Sequence, residues 1–282
     1  MRLQFAGIRR SSNYSPNHFT NDGLILLKTA QELMKLGANF KIYDETEIDT
    51  AKISEDFIFS MAQGKRALKK LIELEAEGKF IINSPRSSLS CYRANMAMQL
   101  INAGIKFPAS KIVKTDSFGY HKIADVGKEM IWLKRGDVHA VHREDVSLVY
   151  SDEELNIVLK EFAHRGIEEA VLQEHICGDV IKFYSVRDTE FFYWYYLDKK
   201  NDYHFDLEQL KKLAQHSANV LGLLIYGGDA VVSEGGVITI IDINDWPSFA
   251  PIKNEASKYI AESIYTEAMK FCEPANKMEV KL

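Results

Sequence analysis

The chain has 282 residues, with 35 lysines and arginines against 40 aspartates and glutamates, a net charge of −5 with histidine neutral. That balance argues against nucleic acid as a partner, because surfaces that track phosphates are net basic. A hydrophobic fraction of 46% beside 27% charged residues excludes a disordered or fibrous chain. No apolar run approaches the roughly 18 residues that a bilayer span needs, so no membrane partner is expected.

The length predicts two or three packed units rather than one core. The stretch Met1 to Arg10 is too short in apolar residues for a signal peptide, and the expected location is cytoplasmic. Cys91, Cys177 and Cys272 are unevenly spaced and form no ligand cluster, which predicts reduced thiols.

In chain order, Leu3 to Ile8 reads as a strand, followed by a polar loop from Arg9 to Asn21. Asn21 or Asp22 is the expected cap of a helix carrying Leu26, Ala30, Leu33 and Met34 at helical spacing, ended by Gly37. Phe40 to Tyr43, Phe57 to Met61 and Phe80 to Asn83 read as strands, with a helix from Ala67 to Ala76. Such alternation predicts a small parallel-sheet domain over residues 1–84. Ligands of such sheets bind beyond the strand carboxyl ends, which makes Arg9, Arg10, Asn13 and His18 candidate substrate contacts; a solvated polar loop is the alternative.

A helix is expected from Ser90 to Ala103, and after Pro108 strands outnumber helices: Ile112 to Lys114, Glu129 to Lys134, Val146 to Tyr150, Val171 to Ile176, Val180 to Arg187 and Phe191 to Leu197. Helices are expected from the Ser151 capping signal to Gly166, from Leu207 to Leu221, and from Glu255 to Phe271. This section, residues 85–282, is α+β in character.

Tyr226 to Pro247 is the most informative stretch. Two strand-like runs flank Gly235-Gly236, the signal for a tight hairpin. If Glu234 pairs with Val237, then Val231 faces Ile240 and Asp229 faces Asp242, with Asn244 on the same side as Asp242. Opposed carboxylates repel unless a cation or a shared proton relieves them, and an oxygen-only set suits a hard ion such as Mg²⁺. A one-residue register shift is the alternative and would put the acids on opposite faces. Lys134 ends the strand Met130 to Leu133, and Lys182 sits among Val180, Ile181, Phe183 and Tyr184. Each either snorkels to solvent or faces an anion in a cleft. With the acidic pair they suit a nucleoside triphosphate, although neither GxxxxGK[ST] nor GxGxxG is present.

From Asn83 to Pro247 these residues, in this order, resemble the ATP-grasp superfamily: NSPRSSLSCYRANMAMQLINAGIKFPASKIV, the strand ending in Lys134, LVYSDEEL, AVLQEHICGDVIKFYSV, GGDAVV and IIDINDWPSF. The resemblance implies an α/β domain, a lid (about 108–175) and a larger subdomain (about 176–282), with ATP clamped between two antiparallel sheets. It implies that Lys134 and Lys182 contact phosphates and that Arg93 lies near the nucleotide. Gln173, Glu174, His175 and Ile176 would form the hinge that reads adenine, and Asp229, Asp242 and Asn244 would hold Mg²⁺ or Mn²⁺. Most members resemble carboxylate–amine ligases acting on small-molecule or peptide carboxylates. A second branch resembles inositol-phosphate kinases, and the stretch Val141 to Glu144 is similar to it; there His142 would lie near the transferred phosphate. A noncatalytic nucleotide-binding module is the third reading. The glycine-rich lid loop of typical ligases is replaced by residues 136–143, where His139, His142 or Arg143 would cover the phosphates. The kinase branch's basic residues give way to the aromatic run Phe191 to Tyr196.

Overall fold

Strand and helix alternate at the start of the chain, as the spacing predicts. A computed structural model describes residues 2–116, 119–127, 129–138 and 141–273. Strands β1 (Gln4–Arg9), β2 (Asn39–Asp44), β3 (Phe57–Ser60) and β4 (Phe80–Ile82) form one sheet in the order β2-β1-β3-β4, with every pairing parallel. Helices α1 (Phe19–Lys35) and α2 (Lys65–Ala76) make two of the crossovers. Phe5, Ala6, Ile8, Ile58 and Phe59 are all buried, as a parallel sheet covered on both faces requires.

α1 starts earlier than its expected cap. His18 precedes it, and Asp22 lies inside the first turn with its Oδ2 atom 3.1 Å from Arg10 Nη1. A buried cation has claimed the carboxylate that the sequence offered to the helix end. A helix that the spacing does not predict, α3 (Pro85–Ser90), capped by Ser84 Oγ accepting from Arg86 N–H at 3.3 Å, precedes the one expected from Ser90 to Ala103, which is α4 (Arg93–Asn102). Tyr92 breaks them with an extended backbone, and its hydroxyl donates to the Gln63 carbonyl at 2.7 Å.

Strands β5 (Ser110–Lys114), β6 (Ile131–Arg135), β7 (Val146–Val149) and β8 (Glu169–Glu174) form an antiparallel sheet in the order β5-β8-β6-β7. Helix α5 (Asp152–His164) begins where the capping signal predicts, with Ser151 Oγ accepting from Glu154 N–H at 3.1 Å. It buries Leu155, Leu159 and Phe162 against Ile131, Leu133 and Leu172. The third sheet, β9 (Asp179–Val186), β10 (Phe192–Asp198), β11 (Ile225–Ser233) and β12 (Val237–Asp245), runs β10-β9-β11-β12 and is antiparallel throughout. Helix α6 (Leu207–Val220) buries Leu210 and Ala214 in a core with Ile181, Phe183 and Ile240.

Helix α7 (Lys253–Cys272) returns along α1, so Ile260 and Ile264 share a core with Phe5, Phe59 and Trp246. Most of the aromatic run is packing. Phe192, Trp194 and Tyr196 face the α6 core, and Tyr193 and Tyr195 face the other, in the period-two alternation of a strand. Among the described residues no helix is long and apolar enough to cross a membrane.

The terminal hairpin departs from its expected register and then recovers it. Ser233 pairs with Val237, so the loop has three residues, Glu234 to Gly236, with both glycines in the left-handed region at φ 76° and 75°. Val231 therefore faces Thr239 rather than Ile240. One extra residue, Ile241, is then bulged out of β12 between the pairs Ala230–Ile240 and Asp229–Asp242. The two aspartates face each other after all.

Candidate active site: two cavities with one shared wall

The second and third sheets close on a cavity of about 340 Å³, within the size range of small-molecule sites. Its floor is apolar, from Val180, Val231 and Ile241, and one end carries Trp132 and His175, whose ring centroids lie 5.9 Å apart. Burial lowers the His175 pKa, which keeps the imidazole neutral near pH 7. Gln173, Glu174 and Ile176 complete that edge.

Charge gathers at the other end. Lys134, on β6, is buried and its Nζ donates to Gln173 Oε1 at 2.6 Å. Burial, and then the charge of Arg93, pull its pKa down to about 8. Arg93, the first residue of α4, is buried with Nη2 3.9 Å from Asp242 Oδ2, and its Nε and Nη1 have no hydrogen-bond partner. Buried donors of this kind need an acceptor, and an anionic ligand supplies one. Asp229 sits opposite Asp242 on one side and Lys182 on the other. Its Oδ1 lies 2.6 Å from Lys182 Nζ. Burial raises the Asp229 pKa, Asp242 adds to the effect and Lys182 opposes it. For Lys182 burial disfavours the charge, yet the aspartates outweigh it and hold the pKa above its ordinary value. The strands can approach this closely because a β-carbon on Gly228 would run into the Asp242 carbonyl.

A second cavity, of about 390 Å³, opens on the far side of Lys182. Arg10, His18 and Gln63 reach it from the carboxyl ends of the parallel sheet, Tyr184 and Tyr195 from the third sheet, and Asn244 and Asp245 from the end of β12. Lys182 lines this cavity and Asp229 lines the other, so their ion pair is the wall between the two. Arg10 is fixed there: Nε donates to the Met61 carbonyl at 3.0 Å, and Nη2 to the Asp245 and Trp246 carbonyls at 3.2 and 3.0 Å.

The structure thus draws Arg93, Lys134, Gln173, Glu174, His175, Ile176, Asp229 and Asp242 around one cavity and places Lys182 and Asn244 on the other side of the wall. Of the loop candidates, Arg10 and His18 line the second cavity, Arg9 turns to Asp44, and Asn13 faces outward. His142 is exposed and lines neither cavity, and His139 lies outside the described residues. Sequence reasoning missed Tyr184, Tyr195 and Asp245; the alternation along β9 and β10 carried the signal for the two tyrosines.

Residues 141–145 are organised by Asp145 rather than by glycines. Its buried carboxylate accepts from Val141 N–H at 2.8 Å and His142 N–H at 3.0 Å, and pairs with Arg135 and Arg165. Burial raises its pKa, but these donors outweigh it and hold it at about 2, below the ordinary 3.8. A depressed carboxylate contributes stability above its unfolded pKa and loses it as pH falls through the folded one. Asp145→Asn is expected to cost roughly 2 kcal/mol at pH 7. In urea melts the gap to the wild type should close between about pH 4 and about pH 2; a gap that is the same at pH 3 and pH 7 would contradict the assignment.

Among the described residues no three His, Cys, Asp or Glu side chains converge on a metal position. Asp229 and Asp242, half-buried and opposed, still fit a hard divalent ion; Asn244, which lines the second cavity, would complete an oxygen-only set from across the wall, and such an ion fills its shell with water and phosphate oxygens.

No protein-family model matches the chain, and no curated protein matches it in sequence. Solved structures do. D-alanine–D-alanine ligase from Bacillus anthracis, complexed with ATP, superposes with a TM-score of 0.69 at 16% identity, covering 96% of this chain and 99% of that one. The ATP-grasp ligase PsnB, complexed with a minimal precursor, gives 0.61 at 13% identity, over 95% and 100%. D-alanyl-alanine synthetase A from Vibrio cholerae O1 biovar eltor str. N16961 gives 0.67 at 10% identity, over 94% and 98%. The chain has the ATP-grasp fold, with its two antiparallel sheets preceded by an α/β sheet, as the ordered motifs predict.

Proposed function

We propose that the chain is an ATP- and Mg²⁺-dependent ligase that activates a carboxylate as an acyl phosphate and joins it to an amine. The observation that carries this reading is the shared wall: the Lys182–Asp229 pair separates the cavity lined by Arg93, Lys134 and Asp242, which would take a nucleotide, from the one reached from the parallel sheet, which would take a second substrate. Trp132, His175 and the apolar floor would hold the base, and Arg93 and Lys134 the inner phosphates. Asp229, Asp242 and Asn244 would hold the Mg²⁺ or Mn²⁺ ion, which when bound neutralises the outer phosphates. Lys182, reaching the wall from the second cavity, would spread charge from the transferred phosphoryl group.

A carboxylate oxygen in the second cavity attacks the γ-phosphorus and displaces ADP. The amine then attacks the acyl carbon, loses a proton, and displaces inorganic phosphate to leave an amide. No protein nucleophile is required, and positioning supplies much of the rate. The kinase alternative is weaker here. A polyphosphate acceptor needs cations, whereas Arg10 is held by Asp22 and three backbone carbonyls, and Asp22 and Asp245 line the same cavity.

The test is incubation with ATP, Mg²⁺ and pools of amino acids, peptides and polyols, following ADP, phosphate and product mass. Ligation gives ADP and phosphate in equal amounts and a product lighter by one water than its two parts. ADP without phosphate, and a product heavier by a phosphoryl group, would establish the kinase reading instead. Nucleotide binding with no turnover on any pool would leave a noncatalytic module.

A further inference from the structure

Four side chains stand in a row across the third sheet. Tyr195 pairs in register with Lys182, Lys182 with Asp229 and Asp229 with Asp242, so the row crosses all four strands on one face. Its two ends open on different cavities: Tyr195 and Lys182 line the second, and Asp229 and Asp242 line the one between the second and third sheets. The Lys182–Asp229 contact, at 2.6 Å, joins them.

A carboxylate in the second cavity needs a cation, and among the described residues that line it the arginines and lysines are Arg10 and Lys182. Arg10 is already taken. Its Nε donates to the Met61 carbonyl, its Nη1 to Asp22 Oδ2 at 3.1 Å, and its Nη2 to the Asp245 and Trp246 carbonyls. Lys182 is held instead by one carboxylate on the far side of the wall, and the side chains of that pair keep 23% and 20% of their exposure, so neither is sealed in. A flexible four-carbon stem lets the ammonium turn back. A divalent ion at Asp229 would compete with it, because such an ion takes carboxylate oxygens at about 2.0–2.1 Å and repels a second cation on the same group.

We propose that Lys182 is the anchor for the carboxylate of the second substrate, held off by Asp229 until a divalent ion occupies that aspartate. The proposal rests on the ligase reading for what fills the second cavity, and it couples the two cavities: the ion favours the carboxylate, and by linkage the carboxylate favours the ion.

The experiment is saturation-transfer NMR on the wild type, Asp229→Asn, Asp242→Asn and the double variant Lys182→Met/Asp229→Asn, each checked for folding by circular dichroism. The probes are an equimolar pool of free amino acids and dipeptides and the matching pool of their carboxamides, without metal or nucleotide. Asp229→Asn should retain the carboxylates about tenfold more tightly than the wild type, the effect of one charge-assisted hydrogen bond, and the carboxamides no more tightly. Asp242→Asn removes the same charge from the row but leaves the pair, so it should gain little, and the double variant should return to the wild-type level. Equal gains in the two single variants would reduce the effect to net charge and overturn the proposal, as would no gain in Asp229→Asn or a gain that survives the loss of Lys182.

A second arm does not need Asp229→Asn to fold. The wild type with Mg²⁺ and the β,γ-imido analogue of ATP should show the same gain, and Lys182→Met should show none. A gain in Lys182→Met, or one that persists when EDTA replaces Mg²⁺, would also overturn the proposal. Replacing the analogue with ATP and adding amines separates the two claims. Carboxylate gain without release of ADP and phosphate refutes the ligase reading and leaves the anchor standing; release with no gain in either arm does the reverse.

Discussion

Asp242→Ala is expected to lower ATP turnover by about a hundredfold to a thousandfold, the range for losing one preorganised group that meets transition-state charge. The same change should leave the fold intact or slightly steadier. Asp242 opposes Asp229 across the hairpin, and Asp229 is a half-buried carboxylate whose pKa is raised by desolvation and further by Asp242. Deleting Asp242 relieves that repulsion, while Lys182 still pairs with Asp229 at 2.6 Å. The cost falls on Arg93, whose guanidinium loses the carboxylate 3.9 Å away. Activity and stability therefore move in opposite directions, as expected where a site holds like charges together for a ligand. Thermal melts with and without ATP and Mg²⁺ provide the check. The wild type should gain stability on addition of both, and the variant should gain little. Wild-type turnover, or an unchanged ligand-induced shift, would remove Asp242 from the site.

The sequence made the acidic pair legible for a reason that was only half right. A two-residue Gly-Gly loop would have aligned Asp229 with Asp242 directly; the real loop has three residues, and the bulge at Ile241 restores the alignment. Alternation along a strand is readable from residue types, but a loop's length and its compensating bulge depend on how β9 and α6 pack against the hairpin. Lys134 and Lys182 were legible because a cation within an apolar strand leaves few placements. The parallel sheet was legible too, because its strands are continuous apolar runs separated by helical periods. The second cavity was legible only at Arg10 and His18, beyond the carboxyl ends of the parallel sheet; its other walls come from Gln63, Tyr195 and Asp245, far apart in the chain. No local pattern announces such a convergence. The same holds for Asp22, read as a helix cap but committed to Arg10, because an ion pair between a loop and a helix turn leaves no periodic trace.

Asn83→Ala is expected to be the most destabilising single change named here, by about 3–5 kcal/mol, because it strips several buried polar groups at once. Asn83 follows β4 and is buried where the first and third sheets meet. Its Nδ2 donates to the Ile225 carbonyl at 2.7 Å and to Asp245 Oδ1 at 2.5 Å, and its Oδ1 accepts from Leu224 and Ile225 N–H at 2.8 and 3.0 Å. Alanine leaves two backbone donors and one side of a buried carboxylate without these partners. Asp245 keeps Ser88 Oγ at 2.5 Å, but burial already raises its pKa, and losing Asn83, which lowers it, raises it further. A carboxylate with a raised folded pKa binds its proton more tightly in the native state, so its contribution to stability grows as pH falls. The deficit of Asn83→Ala should therefore be smaller at pH 5 than at pH 8 in urea melts. A deficit below about 1 kcal/mol, or one that widens on acidification, would contradict this account of the network. Asp245 also lines the second cavity beside Lys182, and its carbonyl receives Arg10. Under the proposed function, loosening that corner should weaken retention of the second substrate before that of a nucleotide, whose proposed cavity lies between the second and third sheets.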